Sequence, residues 1–78
     1  MEITILGKGC KKCNLLEAHA LEASEMLSLE ATFKKVTDIN EIADYGVMQT
    51  PALAVDGKVV LQGRVPSAKK LAKLLSER

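Results

Sequence analysis

Gly9-Cys10-Lys11-Lys12-Cys13 is the stretch on which the fold and chemistry of this chain turn. It holds both cysteines, and it follows an apolar, β-prone run, Ile3-Thr4-Ile5-Leu6, and a short loop, Gly7-Lys8-Gly9. From Cys13 onward, rotation by about 100° per residue gathers Leu15, Leu16, His19, Ala20, Ala23, Met26 and Leu27 on one arc. Glu17, Glu22, Ser24 and Glu25 fall on the other, and Leu21 is out of pattern. The spacing predicts a helix to about residue 28, so the cysteines sit where a strand hands over to a helix. That position suits three chemistries: reversible disulfide exchange, capture of a soft metal by two thiolates, or half of a zinc site.

Outward from this junction, Ala31-Thr-Phe-Lys-Lys-Val-Thr37 has β-forming character and reads as a second strand. Asp38 is a helix N-cap with Glu41 three residues on, and Gly46 is a natural stop, which predicts a short helix over about 39–45. Ala52-Leu-Ala-Val55 and Lys58-Val-Val-Leu61 are apolar runs separated by Asp56-Gly57, the strongest local signal for a tight hairpin. Gly63 ends that hairpin. Pro66 and Ser67 open a last helix with Ala68, Leu71, Ala72, Leu74 and Leu75 on its apolar face. The order is β-α-β-α-β-β-α. Strands joined through a helix are expected to be parallel with a right-handed crossover, and the last two antiparallel, giving one four-stranded mixed sheet with three helices.

Composition narrows the function. At 78 residues the chain is one small domain, 1–78, with a modest core. Hydrophobic residues at 47% and charged residues at 27% describe an ordinary soluble globule. One Phe, one Tyr and no Trp leave few platforms for stacking bases, and a net charge of +1 supplies no field to gather nucleic acid or anionic lipid. No run approaches the roughly 18 apolar residues of a membrane span, and the N-terminus lacks the basic start and apolar stretch of a signal peptide. A cytoplasmic monomer, with neither nucleic acid nor membrane as partner, is the expectation. In a reducing compartment a close cysteine pair is catalytic or metal-binding rather than structural. A disulfide closing so short a loop contributes only about 2 kcal/mol by the chain-entropy estimate, a weak staple but a usable redox couple.

The element order, with CxxC after the first strand and Thr50-Pro51 before the third, resembles the thioredoxin fold. Three segments carry the resemblance: Gly9-Cys10-Lys11-Lys12-Cys13, then Val47-Met48-Gln49-Thr50-Pro51-Ala52-Leu53-Ala54-Val55-Asp56-Gly57, then Leu61-Gln62-Gly63-Arg64. The chain looks most like the small redox-active disulfide proteins of archaea and bacteria, thioredoxin-like chains of glutaredoxin size. The resemblance implies a dithiol–disulfide oxidoreductase that needs no cofactor and works on disulfide-containing proteins, with a reductant it leaves unidentified. Cys10 would be the attacking nucleophile and Cys13 the resolving thiol. Thr50 and Pro51, joined by a cis peptide, would face the cysteines and offer backbone hydrogen bonds to substrate, with Gly63 lining the same groove. The chain also departs from its relatives. Gly9 stands where thioredoxins carry Trp, Lys11-Lys12 where they carry Gly-Pro, and Thr4 where they bury an acid. Gly63-Arg64-Val65-Pro66-Ser67 replaces the Gly-Gly and acidic segment through which glutaredoxins hold glutathione.

Disulfide exchange needs a thiolate. At a helix start Cys10 would meet unsatisfied N–H groups and the positive end of the dipole, and Lys8, Lys11 and Lys12 add charge of the same sign. Its pKa is therefore expected below the unperturbed value of about 8.5. Cys13, closer to the apolar arc, is expected to be the less exposed thiol. The rival readings are a Cu(I)-binding chaperone and a docking or redox-sensing module without turnover. Copper-chaperone domains place CxxC similarly but run βαββαβ, and typically have Met-Thr before the first cysteine, where Lys8-Gly9 stands here. No metal site is expected otherwise: a structural zinc needs four ligands, and two Cys with His19 cannot close it. His19, Met26, Tyr45, Val47 and Met48 are read as packing or groove residues.

Overall fold

The computed structural model describes residues 1–9 and 11–77. It contains the strands β1 (Glu2–Leu6), β2 (Thr32–Val36), β3 (Ala52–Val55) and β4 (Lys58–Gln62) and the helices α1 (Lys11–Met26), α2 (Ile39–Asp44) and α3 (Ala68–Ser76). The order along the chain is the predicted one. The strands form one sheet in the order β2-β1-β3-β4. β1 runs parallel to β2 and antiparallel to β3, and β3 pairs antiparallel with β4. This is the thioredoxin-like fold, with a mixed sheet and three helices.

Alternation along β1 divides the core. Ile3 and Ile5 join Leu53 on one face and pack with Leu16 and Ala20 of α1 and Leu71 and Leu75 of α3. Leu6 points the other way and meets Ala52, Ala54, Val36, Val47 and Ile42 of α2. One face of the sheet thus carries α1 and α3, which also pack on each other, and the opposite face carries α2. β3 lies between two strands and under both layers. All four of its residues are buried, which is why it reads as a continuous apolar run rather than an alternating one.

The ends of the elements follow from single residues. Asp38 caps α2, its Oδ1 accepting from the Asn40 N–H at 2.8 Å, and Gly46 follows the helix with φ of 81°. Ser67 caps α3 by accepting from Lys70 N–H at 3.3 Å. Asp56 and Gly57 both have positive φ, 51° and 84°, as a two-residue hairpin of right-handed twist requires. Asp56 is also a clamp. Its N–H donates to the Glu2 carbonyl at 2.8 Å, and its Oδ1 accepts from the Glu2 N–H at 2.8 Å, tying the hairpin tip to the start of β1.

The face of α1 differs from the one expected. Its buried residues are Cys13, Leu16, Ala20, Ala23 and Ser24, while Leu15 and Met26 are exposed. Measured from Leu16 at about 100° per residue, the buried set lies between roughly −20° and +80°, and Leu15 and Met26 lie roughly 80–100° round the other way. The contact with α3 and the sheet selects the Cys13 side of the helix. Ser24, expected on the polar arc, tolerates burial because its Oγ donates to the Leu21 carbonyl at 2.8 Å. Met48, expected in core or groove, is a groove residue 91% exposed to solvent, whereas its neighbour Val47 is buried.

Candidate active site

The site forms where three elements end together. Beyond β1, the Gly7 N–H donates to the Val36 carbonyl at 3.0 Å, which carries the β1–β2 ladder one residue further. The chain then turns through Gly9, at φ of 82°, into α1. This brings Cys13, in the first turn of α1, back over Gly7. The approach is so close that a methyl group at residue 7 would overlap Cys13 Sγ and stand 3.2 Å from its Cβ and 3.8 Å from Pro51 Cα. Gly7 is buried and Cys13 is 4% exposed. Cys13, Gly7 and Pro51 therefore share one contact region, at the end of β1 and the starts of α1 and β3. Cys10 directly precedes α1 in sequence and lies outside the described residues.

Lys8, Lys11 and Lys12 are all exposed. Lys11 and Lys12 occupy the first turn of α1, which contains no acidic residue. Placing like charge against the positive end of a helix dipole costs helix stability, so these lysines are not there for the helix.

The second half of the site is the segment leading into β3. The Thr50–Pro51 peptide bond is cis, Pro51 is buried and Thr50 exposed. Gly63, at the end of β4 with φ of 72°, donates its N–H to the Pro51 carbonyl at 2.8 Å. A side chain at residue 63 would overlap Gln49 Oε1 and stand 3.2 Å from Gln49 Cβ, so Gln49 lies across this glycine. Gln62 reaches over from β4, its Oε1 accepting from the N–H groups of Met48 at 2.8 Å and Gln49 at 3.3 Å. Alongside runs a groove of about 300 Å³ whose walls include Lys8, Ile39, Val47, Met48 and Thr50. Ile39 is 59% exposed on its rim.

Two further residues complete the surroundings. Thr4 is fully buried on β1, and its Oγ1 has no hydrogen-bond partner among the described residues. Half-buried His19 places Nδ1 2.8 Å from the Pro66 carbonyl; a carbonyl only accepts, so Nδ1 carries the proton. His19 is thus a tie between α1 and the β4–α3 connection.

Among the expected site residues, the structure brings Cys13 and Pro51 together over Gly7 and ties Gly63 to Pro51, while Thr50 and Lys8 lie in the wall of the neighbouring groove. Gly7, Gln49 and Gln62 were not anticipated. A buried glycine directly after a strand is a signal of close approach, and it stands in the sequence at Gly7. Nothing comparable marks Gln62, a polar residue at a strand end whose bonds depend entirely on what the fold brings beside it.

Comparison with known proteins agrees with this geometry. Residues 1–76 match the family model described as Thioredoxin domain. The chain is similar to a thioredoxin of Methanothermobacter thermautotrophicus, 41% identical over 76 residues, covering 97% of this chain and 99% of that one. It is also similar to a thioredoxin of Methanocaldococcus jannaschii, 42% identical over 69 residues, covering 88% of this chain and 79% of that one. The chain belongs to the thioredoxin family of thiol–disulfide oxidoreductases.

Proposed function

We propose that this chain reduces or exchanges protein disulfides through Cys10 and Cys13, acting as a single domain in the reducing environment of the cytoplasm. The observation that carries the division of labour is the burial of Cys13 against Gly7 at the first turn of α1. A thiol enclosed in this way is poorly placed to meet an incoming disulfide and well placed to receive one already bonded to its neighbour. Cys10, three residues earlier in the sequence and flanked there by Lys8, Lys11 and Lys12, takes the attacking role.

The Cys10 thiolate attacks one sulfur of the target disulfide, forming a mixed disulfide and releasing the target's other sulfur as a thiolate, which takes up a proton. Cys13, as thiolate, then attacks the Cys10 sulfur. The mixed disulfide breaks, the second target thiol leaves, and Cys10 and Cys13 are joined. Two electrons have passed from the chain to the target, and an external dithiol or other two-electron reductant must reopen the pair. The backbone at Thr50 would align the target segment, and the groove of Lys8, Ile39 and Met48 would receive its flanking residues.

The test is a pair of substitutions with a disulfide-bonded protein as probe. Cys13→Ser is expected to accumulate a mixed disulfide on Cys10, visible by mass spectrometry. Cys10→Ser is expected to form none. Equal trapping by both variants would overturn the assignment of roles, and failure of the unaltered chain to reduce any protein disulfide would overturn the activity. Cu(I) titration in parallel separates a carrier from an enzyme, since a carrier binds tightly without turnover.

A further inference from the structure

We infer that Gln62 is the positioning residue that holds the Met48–Thr50 segment in the conformation a disulfide substrate needs. This rests on the proposed disulfide exchange at the same site.

The segment is gripped from β4 at two places. Gln62 Oε1 accepts from the N–H groups of Met48 and Gln49, and the Gly63 N–H donates to the Pro51 carbonyl. These contacts bracket Thr50, and none of them uses the Thr50 backbone. Residues 47–50 lie outside regular structure, and Met48, Gln49 and Thr50 are all exposed, so burial in the core does not fix their backbone. The next fixed points are Val47 on one side and Pro51 on the other, both buried. Without Gln62 the Met48 and Gln49 N–H groups would lose the acceptor they share. Each would then sample conformations in which Thr50 is misaligned, and a substrate would have to restore the order on binding.

The chemistry of the contact points to an acceptor and nothing else. A glutamine carbonyl oxygen has two lone pairs and takes two N–H donors at once, as here. A glutamate at this position would present an oxygen on the same side-chain length, whereas alanine would present none. Gln49 contributes from the other side by lying across Gly63, which keeps the two segments in register.

Gln62→Ala and Gln62→Glu are compared with the unaltered chain in a steady-state assay on a disulfide-bonded protein. Losing the acceptor is expected to raise KM about three- to tenfold with kcat and the thiol pKa little changed, as removal of one to two modest hydrogen bonds implies. Gln62→Glu is expected to stay within about twofold of the unaltered KM. Amide exchange supplies an assay-independent readout: the Met48 and Gln49 N–H groups exchange faster in Gln62→Ala and not in Gln62→Glu. If the unaltered chain turns over while Gln62→Ala leaves KM and exchange unchanged, the inference is wrong. It is equally wrong if Gln62→Glu is as impaired as Gln62→Ala, or if the loss falls on kcat alone. Absence of turnover in the unaltered chain would instead remove the disulfide-exchange proposal on which the role rests.

Discussion

The Cys13 sulfur rests directly on Gly7, with no room between them for a single methyl group. Gly7 is not left-handed, so its role is space rather than backbone freedom, and space can be tested by filling it. Gly7→Ala forces either Cys13 or the start of α1 outward. Overpacking of this kind costs about 1–3 kcal/mol, which denaturant unfolding would register. The displaced sulfur is also expected to lengthen the life of the mixed disulfide, because the proposed resolution step depends on where Cys13 is held. A Gly7→Ala chain with unaltered stability and unaltered resolution would show that the contact is slack.

Lys11 and Lys12 are expected to set stability against reactivity. Replacing either with Glu puts an acid in the first turn of α1, where the dipole favours it by about 0.3–1 kcal/mol. The same change removes a positive charge near Cys10 and adds a negative one, which disfavours the thiolate. The pKa of Cys10 is therefore expected to rise, and its alkylation rate at neutral pH to fall severalfold, even as the melting temperature increases. Both effects should shrink at high salt, where exposed charges are screened. A pH profile of iodoacetamide alkylation for each variant checks the sign.

Thr4 buries a hydroxyl that no described residue satisfies. Valine has nearly the same shape and no polar atom, so Thr4→Val is expected to stabilise the chain by about 1–2 kcal/mol, by relieving an uncompensated desolvation. Position 4 stands where thioredoxins carry an acid. Unchanged turnover in Thr4→Val would mean that the hydroxyl takes no part in proton transfer, and a loss of turnover would give it one. Chemical denaturation and a disulfide-reduction assay on the same variant separate the two effects.

Most of the fold could be read from local signals. The apolar run 3–6, the Asp38 cap, the Asp56-Gly57 turn and the Ser67 cap each act within a few residues, and each placed an element boundary to within one or two positions. Helix α1 was harder. Its apolar residues are spread over a wide arc, and periodicity alone gives no means of choosing which part of the arc will meet α3. That contact chose the Cys13–Leu16–Ala20 side and left Leu15 and Met26 in solvent. Within the site, Cys13 and Thr50-Pro51 were recognisable from residue type and order. Gln62 was not, because its partners at Met48 and Gln49 are 13–14 residues away in sequence and are backbone groups, which every residue has.

The sequence by itself determined the order of elements, the hairpin, the caps and the pairing of two cysteines at a strand-to-helix junction, since each is written in residues that interact over short spans. Only the tertiary structure decided which glycine Cys13 closes upon, which side chain holds the segment before Pro51, and which face of α1 is the inner one. Those outcomes depend on which surfaces are pressed together when β1, α1, β3 and β4 converge. Contact at that scale is fixed by the packing of the whole sheet and its helices, and no neighbouring pair of residues encodes it.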